Sequence, residues 1–464
     1  MGNFFLWTEF FLHELLLFSA IWFLIGAIDD FAVDIIWVVR RIYRRLRYYH
    51  SVKPMRASDL PPPEKSGKLA VFVAAWQEAA VIGAMLRHCQ KAWADNANHH
   101  IYVGCYPNDD ATIASVMAAA AHNSAVKLVL CDHAGPTTKA DCLNRLWRAM
   151  TEDELKYGYK VKAIILHDAE DQVDKDELTL YDRLIEKAQA VQLPVIPMRV
   201  SGSLWISGHY CDEFAEAHGK SLVVREAIGA PLPLAGVGCA IDRNVLGRIA
   251  LAADRRPFDE GSLTEDYELG LKIGQQNGRT ILARIANDAG ALIGTRACFP
   301  DTLEASVRQK SRWITGISLS GWDRMGWRRT FGENWMILRD RRAIFAAIVL
   351  AAAYISIILT GVMAAADLLE LHAWKSLPRL TTTLLAVNAL FLIWRLIVRA
   401  FFVGRLYGPL EAVHSVPRIF IANIISLMAA RRAIGNYALY CIKNRPLQWD
   451  KTTHNHFPKA SSNG

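Results

Sequence analysis

Three stretches of the chain are too apolar and too long to be loops. Residues 15–28 carry no charge, and the apolar run continues through 31–39, broken by Asp29, Asp30 and Asp34. Arg40, Arg41, Arg44, Arg45 and Arg47 follow at once. A cleaved leader has its basic residues first and a small-residue cleavage site last, so this order predicts a retained anchor. Basic residues flank spans on the cytoplasmic side, which puts the N-terminus outside. The three aspartates are expected to mark the membrane interface; the alternative is that they face other helices within the bilayer. Residues 343–366 hold no charge, follow Arg339, Arg341 and Arg342, and match the roughly 20 residues that cross a bilayer. Residues 381–403 carry only Arg395 and Arg399, with Arg405 beyond; such side chains can reach headgroups, so that end is also expected to be cytoplasmic. The two spans predict a hairpin around a short outer loop, 367–380. A shorter stretch, 419–430, runs into Arg431 and Arg432. Its surroundings, 416–441, are polar and basic for a span, so an amphipathic helix on the cytoplasmic surface is expected; the alternative is a fourth crossing, which would move the C-terminus outside.

After Pro61-Pro62-Pro63 the pattern changes. Short apolar runs at 68–75, 100–105, 126–131, 161–167 and 195–198 end in polar loops, and helical stretches such as 79–93 and 111–122 separate them. Strands alternating with helices predict an α/β domain with a mostly parallel sheet covered on both faces. Four segments result: 1–60, a transmembrane anchor with a basic juxtamembrane helix; 65–330, a cytoplasmic α/β domain; 340–405, a transmembrane hairpin; and 406–464, an interfacial helix and tail. The expected location is a bacterial inner membrane.

Composition narrows this picture. Of 464 residues 52% are hydrophobic and 21% charged, which excludes disordered and collagen-like chains. The net charge of +8 is compatible with nucleic acid. Arginines placed directly after a span are better explained by lipid headgroups, so no nucleic-acid partner is expected. Eight cysteines without a CxxC pair predict neither a disulfide framework nor a zinc ribbon. His209, Cys211 and His218 fit no common zinc spacing.

Ligands of parallel α/β sheets bind beyond the carboxyl ends of the strands. Trp76 and Glu78 follow the first run and Asp109-Asp110 the second, while Lys139 lies in the loop after the third. The fourth run enters Asp168-Ala169-Glu170-Asp171. Three carboxylates in four residues require neutralisation, and hard oxygen ligands suit Mg²⁺ or Mn²⁺ bridging to substrate phosphates. Further on lie Gly236-Val237-Gly238, Thr264-Glu265-Asp266 and Gln309-Lys310-Ser311-Arg312-Trp313. Each alone has a plain reading, as a turn, a helix cap or an interface anchor.

Their order resembles the membrane-embedded family 2 glycosyltransferases of the cellulose-synthase and hyaluronan-synthase type. Asp109-Asp110 looks like the early acidic pair of that family, 168–171 its DxD-like metal motif, 264–266 its TED motif and 309–313 its QxxRW. Within the superfamily the chain resembles the inner-membrane phage-adsorption protein B group. That likeness rests on Ile28-Asp29-Asp30 with Asp34, 167–171, Asp212-Glu213-Phe214-Ala215-Glu216, 235–239, and Trp449-Asp450-Lys451-Thr452-Thr453-His454. The third position of the metal motif is Glu170 rather than aspartate, so Glu170 and Asp171 both stand as second ligand beside Asp168.

The resemblance implies a GT-A fold and transfer of a sugar from a nucleotide-sugar, usually a UDP-sugar, with inversion. Trp76, Glu78, Asp109, Asp110, Lys139, Asp168, Gln309 and Arg312 would bind the donor, with Trp76 on the base and Asp109 and Lys139 at its edge or the ribose. Gly236, Gly238, Glu265 and Trp313 would hold the acceptor, Asp266 would be the general base, and Mg²⁺ or Mn²⁺ the cofactor. The acceptor would be a growing polysaccharide, or a lipid carrier in a single-addition enzyme; a non-catalytic scaffold or phage-entry factor is the reading of another class. An envelope or outer-membrane export partner fits the first. No cyclic-dinucleotide domain is expected after the last helix, and such control is expected to need another subunit. Lys451, His454 and His456 either reach the mouth of the site or are tail residues.

Overall fold

The computed structural model describes residues 2–50, 52–96, 98–121, 123–328 and 330–443. The strands are β1 (Lys68–Ala74), β2 (His99–Cys105), β3 (Val126–Leu130), β4 (Val161–His167), β5 (Ala190–Gln192), β6 (Val195–Met198), β7 (Cys239–Asp242), β8 (Thr280–Leu282) and β9 (Thr295–Cys298). Seven form one sheet in the order β3-β2-β1-β4-β7-β5-β8, parallel except for β7, which runs antiparallel to both neighbours. β6 and β9 pair apart as a parallel ribbon.

Alternate residues of each strand point to opposite faces, and both faces are covered. Leu69, Val71, Val73, Ile101 and Ile165 pack under Ile82, Met85, Leu86 and Tyr181. Ala70, Phe72, Tyr102, Ile164 and Leu166 pack against Leu143, Leu146, Met150 and Leu246 on the other side. Continuously apolar central strands are what such a two-sided core demands. Side-chain caps fix several helix starts at the strand ends: Asp109 accepts from Thr112 N, Thr138 from Asp141 N, and Asp242 from Val245 N.

Among the described residues four helices are long and apolar enough to cross a membrane: Gly2–Arg47, Ala343–Leu368, Arg379–Tyr407 and Pro409–Lys443. The first contacts both the second and the third, and their charges do not face headgroups as expected. Asp29 accepts from Trp335 Nε1 (2.6 Å) and pairs with Arg339 and Arg342; Asp30 pairs with Arg339 (2.9 Å), Arg342 (2.7 Å) and Arg395. Asp34 accepts from Lys220 Nζ (2.6 Å) and Trp394 Nε1 (2.8 Å), and Lys220 also holds Glu216 (2.8 Å), which Arg399 reaches at 3.5 Å. The aspartates therefore face other elements, and Arg395 and Arg399 turn inward to meet carboxylates. Desolvated charges persist only when paired in this way.

The fourth helix differs. It touches the α/β domain along its length, through Glu411 to Arg199 (2.7 Å), Arg418 to Asp212 (2.9 Å), Ile425 and Ala429 to Val307, and Tyr437 to Asp323 (2.7 Å). The motif 449–454, with Lys451, His454 and His456, lies outside the described residues.

Candidate active site

One cleft opens at the carboxyl ends of the parallel strands, with about 1160 Å³ of empty space including its mouth. Trp76, Glu78, Lys139, Asp168, Glu170, Asp171, Glu265, Asp266, Gln309, Arg312 and Trp313 all line it. Residues as far apart as 76 and 313 thus share one cavity because β1, β4, the helix Glu265–Gln275 and the helix Leu303–Ile314 converge there.

The floor is electrostatic. Lys139 Nζ lies 2.5 Å from Asp168 Oδ1 and 3.3 Å from the Gly236 carbonyl. Burial works against its charge, but Asp168, Glu265 and Asp266 outweigh this and keep the lysine protonated. Lys139 is thus a partner of Asp168 at the cleft floor. Gly236 has φ +72°, and a Cβ there would lie 2.5 Å from Asp266 Oδ2, so only glycine lets the backbone pass under the aspartate. Gly238 (φ +57°) likewise presses on Thr295. The two glycines do not line the cleft; Ala235 and Val237 between and beside them do. Burial raises the Asp266 carboxyl above its ordinary value despite Lys139 and Arg312, and burial with the Asp266 charge raises Glu265 to about 7.

The acidic turn separates into parts. His167, fully buried, contacts Asp171 Oδ2 (2.8 Å) through Nδ1 and Glu177 Oε1 (2.7 Å) through Nε2. Burial opposes its charge, and Glu177 and Asp171 prevail, raising it to about 10. Asp171 Oδ2 also accepts from Asp168 N (3.1 Å), which sets the turn. One oxygen of Asp171 is therefore committed to structure, while Asp168, Glu170 and Asp171 all line the cleft. Among the described residues no three His, Cys, Asp or Glu side chains are placed to hold a metal ion. The donors present are all oxygens, and Asp171 Oδ1 is buried without a hydrogen-bond partner. Such a set fits Mg²⁺ or Mn²⁺ completed by substrate phosphates rather than a closed protein cage.

Asp109 and Asp110 depart from expectation. Asp109 does not line the cleft: its Oδ2 accepts from Gln77 N (2.5 Å), holding the Trp76-Gln77-Glu78 turn, in which Gln77 has φ +55°. Asp110 is exposed in the first turn of its helix. Trp76 stands edge-on to Tyr106 at 5.2 Å, and Gly135 packs beneath it. At the other end Tyr210, Phe214, Phe299 and Trp313 form an aromatic wall, of which Phe214, Phe299 and Trp313 line the cleft. Tyr106, Phe214 and Phe299 had no assigned role from sequence; Phe214 lies in the 212–216 motif, which was the available signal. Thr264 Oγ1, Gln309 Oε1 and Arg312 Nε are buried and unpartnered among the described residues, so three cleft side chains hold polar atoms in reserve for a ligand.

Comparison with known proteins agrees with this geometry. Residues 65–316 match the family described as glycosyltransferase like family 2. The chain is 35% identical over 458 residues to bacteriophage adsorption protein B of Escherichia coli K12 and to bacteriophage N4 adsorption protein B of Escherichia coli O157:H7, covering 94% of this chain in each case. It spans 61% of the length of these curated relatives. Among solved structures, a mannosyltransferase of Pyrobaculum calidifontis in complex with GDP-Man and Mn²⁺ superposes with a TM-score of 0.50 at 15% identity, covering 89% of this chain and 99% of that one. The fold is shared, and with the family match over more than half its length the chain belongs to glycosyltransferase family 2.

Proposed function

We propose that the protein transfers a sugar, with inversion, from a UDP-sugar to a growing polysaccharide at the cytoplasmic face of the inner membrane, beside helices that accompany its export. The observation that supports this most is the sharing of one cleft by Lys139–Asp168, Asp266 and Arg312.

In this reading Trp76 offers its face to the base, and the diphosphate lies over Asp168 and Glu170. A divalent ion held there supplies positive charge to the departing diphosphate. Arg312 adds a fork of donors for phosphate oxygens and Gln309 an amide. The acceptor sugar stands against Trp313. Asp266 takes the proton of its hydroxyl as that oxygen bonds to the anomeric carbon and the bond to the diphosphate breaks, so the nucleoside diphosphate leaves with the electron pair. Attack opposite the leaving group gives inversion. The contacts of the helix Pro409–Lys443 with the α/β domain support placing it beside that domain, and the arginines after the first span support placing the domain in the cytoplasm.

Membranes carrying the protein are to be incubated with Mg²⁺ or Mn²⁺ and a panel of labelled UDP- and GDP-sugars. A high-mass product supports the synthase; label confined to a lipid extract identifies a single-addition enzyme, and no incorporation from any donor leaves a scaffold. Asp266→Asn is expected to lower transfer by about 10²–10⁴-fold while donor binding persists. Wild-type turnover in that variant removes Asp266 as the base.

A further inference from the structure

We infer that Arg41, Arg284 and Arg405 form a discrete binding site for the phosphate headgroup of an anionic membrane lipid. The three come from the first helix, the loop after β8 and the end of the helix Arg379–Tyr407; Arg284 and Trp37 bind one turn, residues 218–219, and Arg41 and Arg405 lie over the touching rings of Trp37 and Phe401. Arg284 Nη1 donates to the His218 carbonyl (2.7 Å), and Trp37 Nε1 to the next carbonyl, Gly219 (3.0 Å). Arg41 lies over the Trp37 ring at 5.2 Å, and Arg405 over Phe401 at 5.6 Å. Trp37 packs against both Phe401 (6.1 Å) and Phe402 (5.0 Å), which closes the cluster. Both carbonyls lie in the π-helical segment Ala217–Ser221.

Four nearby arginines are neutralised: Arg339, Arg342, Arg395 and Arg399 each hold a carboxylate. Arg41, Arg284 and Arg405 make no ion pair among the described residues. Desolvation and the neighbouring Arg405 charge push Arg284 down to about 10, with no acid offsetting them. Convergent guanidinium groups without a counter-ion match the geometry of phosphate oxygens.

The apolar surroundings select a lipid over a free anion. Val38, Val39, Ile42, Ile397 and Phe401 are exposed beside the cluster on the same two helices, so a ligand here meets positive charge at one end and an apolar band at the other. The inference rests on the membrane placement proposed above.

The test uses the full chain in detergent, titrated with short-chain phosphatidylglycerol and read by native mass spectrometry, with short-chain phosphatidylcholine and inorganic phosphate as comparison probes. Arg41→Gln/Arg284→Gln/Arg405→Gln is expected to lower phosphatidylglycerol retention about 10- to 100-fold, whereas Arg44→Gln/Arg47→Gln, on the same first helix but outside the cluster, stays within about twofold. Arg405→Gln alone, whose side chain makes only a ring contact, is expected to show part of the loss even where the triple variant folds poorly. Carbonate-resistant insertion of the variants separates loss of this site from failure of the membrane placement. Equal losses in the triple and control variants, equal retention of phosphatidylcholine, or displacement of the lipid by equimolar inorganic phosphate overturns the proposal.

Discussion

Asp266 can accept a proton only when ionised, and its surroundings set the pH at which that holds. Burial raises its pKa, and Lys139 and Arg312 pull the other way without prevailing. A group with a raised carboxylate pKa loses its charge earlier as pH falls. The acid limb of kcat/KM is therefore expected above the ordinary aspartate value of about 3.9. Lys139→Met removes the largest opposing charge, so the limb of its residual activity is expected to move to higher pH. Profiles recorded on both proteins with saturating metal check this; coincident limbs would show that Lys139 does not govern the ionisation of Asp266. Glu265, raised to about 7 beside it, carries the same sign, so both carboxylates gain charge as pH rises.

At the scale of elements, the first helix is fastened to the α/β domain through buried charge. Lys220 is 4% exposed and holds Asp34 and Glu216, themselves nearly inaccessible. Lys220→Met leaves Asp34 with only the neutral Trp394 donor and Glu216 with the more distant Arg399, and breaking a buried pair costs about 3–5 kcal/mol. Thermal unfolding of the detergent-solubilised protein is expected to register this as a clear fall in melting temperature, partly restored by adding Asp34→Asn. An unchanged melting curve would detach the network from stability. None of this pairing was legible in sequence, because Lys220 and Asp34 lie 186 residues apart and each reads locally as a solvated charge. Five strands were legible as apolar runs: those at 161–167 and 195–198 coincide with β4 and β6, and 68–75, 100–105 and 126–131 differ from β1, β2 and β3 by one residue at one end. The short strands β5, β7, β8 and β9 were not, since three or four residues display no period of their own, and β6 was legible only as an apolar run. Asp168, Asp266 and Arg312 were legible as members of ordered motifs at element ends, whereas Asp109 was not legible as a turn fastener. Its role depends on Gln77 N, a backbone group of a different loop. Phe214 and Phe299 were hidden for a similar reason, since an aromatic residue reads as core until its neighbours are known.

For the whole molecule, the placement of the helix Pro409–Lys443 decides on which side of the membrane the chain's last described residues lie. Its composition alone permits crossing, and Asn423 reaches Tyr354 in the span Ala343–Leu368 (3.2 Å), but its contacts with the α/β domain run from end to end and are those of a helix lying along the membrane surface. Arg418 near one end meets Asp212, Ile425 and Ala429 near the middle meet Val307, and Tyr437 near the other end meets Asp323, all from the α/β domain. A helix crossing the bilayer would carry its far end roughly 30 Å away from that domain. Exposed Phe420, Ile424, Met428, Ile434 and Ile442 give the same helix an apolar surface for lipid. The chain contains its own probe of this arrangement. All eight cysteines are free; six are buried, Cys298 is half-buried, and Cys441 is exposed at the end of this helix. A membrane-impermeant maleimide is therefore expected to label the native protein chiefly at Cys441 in inverted inner-membrane vesicles and to leave it unmodified in sealed vesicles of the opposite orientation, with Cys441→Ser as the blank. Labelling confined to the second preparation would make this helix a fourth span and would require its contacts with the α/β domain to be absent in the membrane.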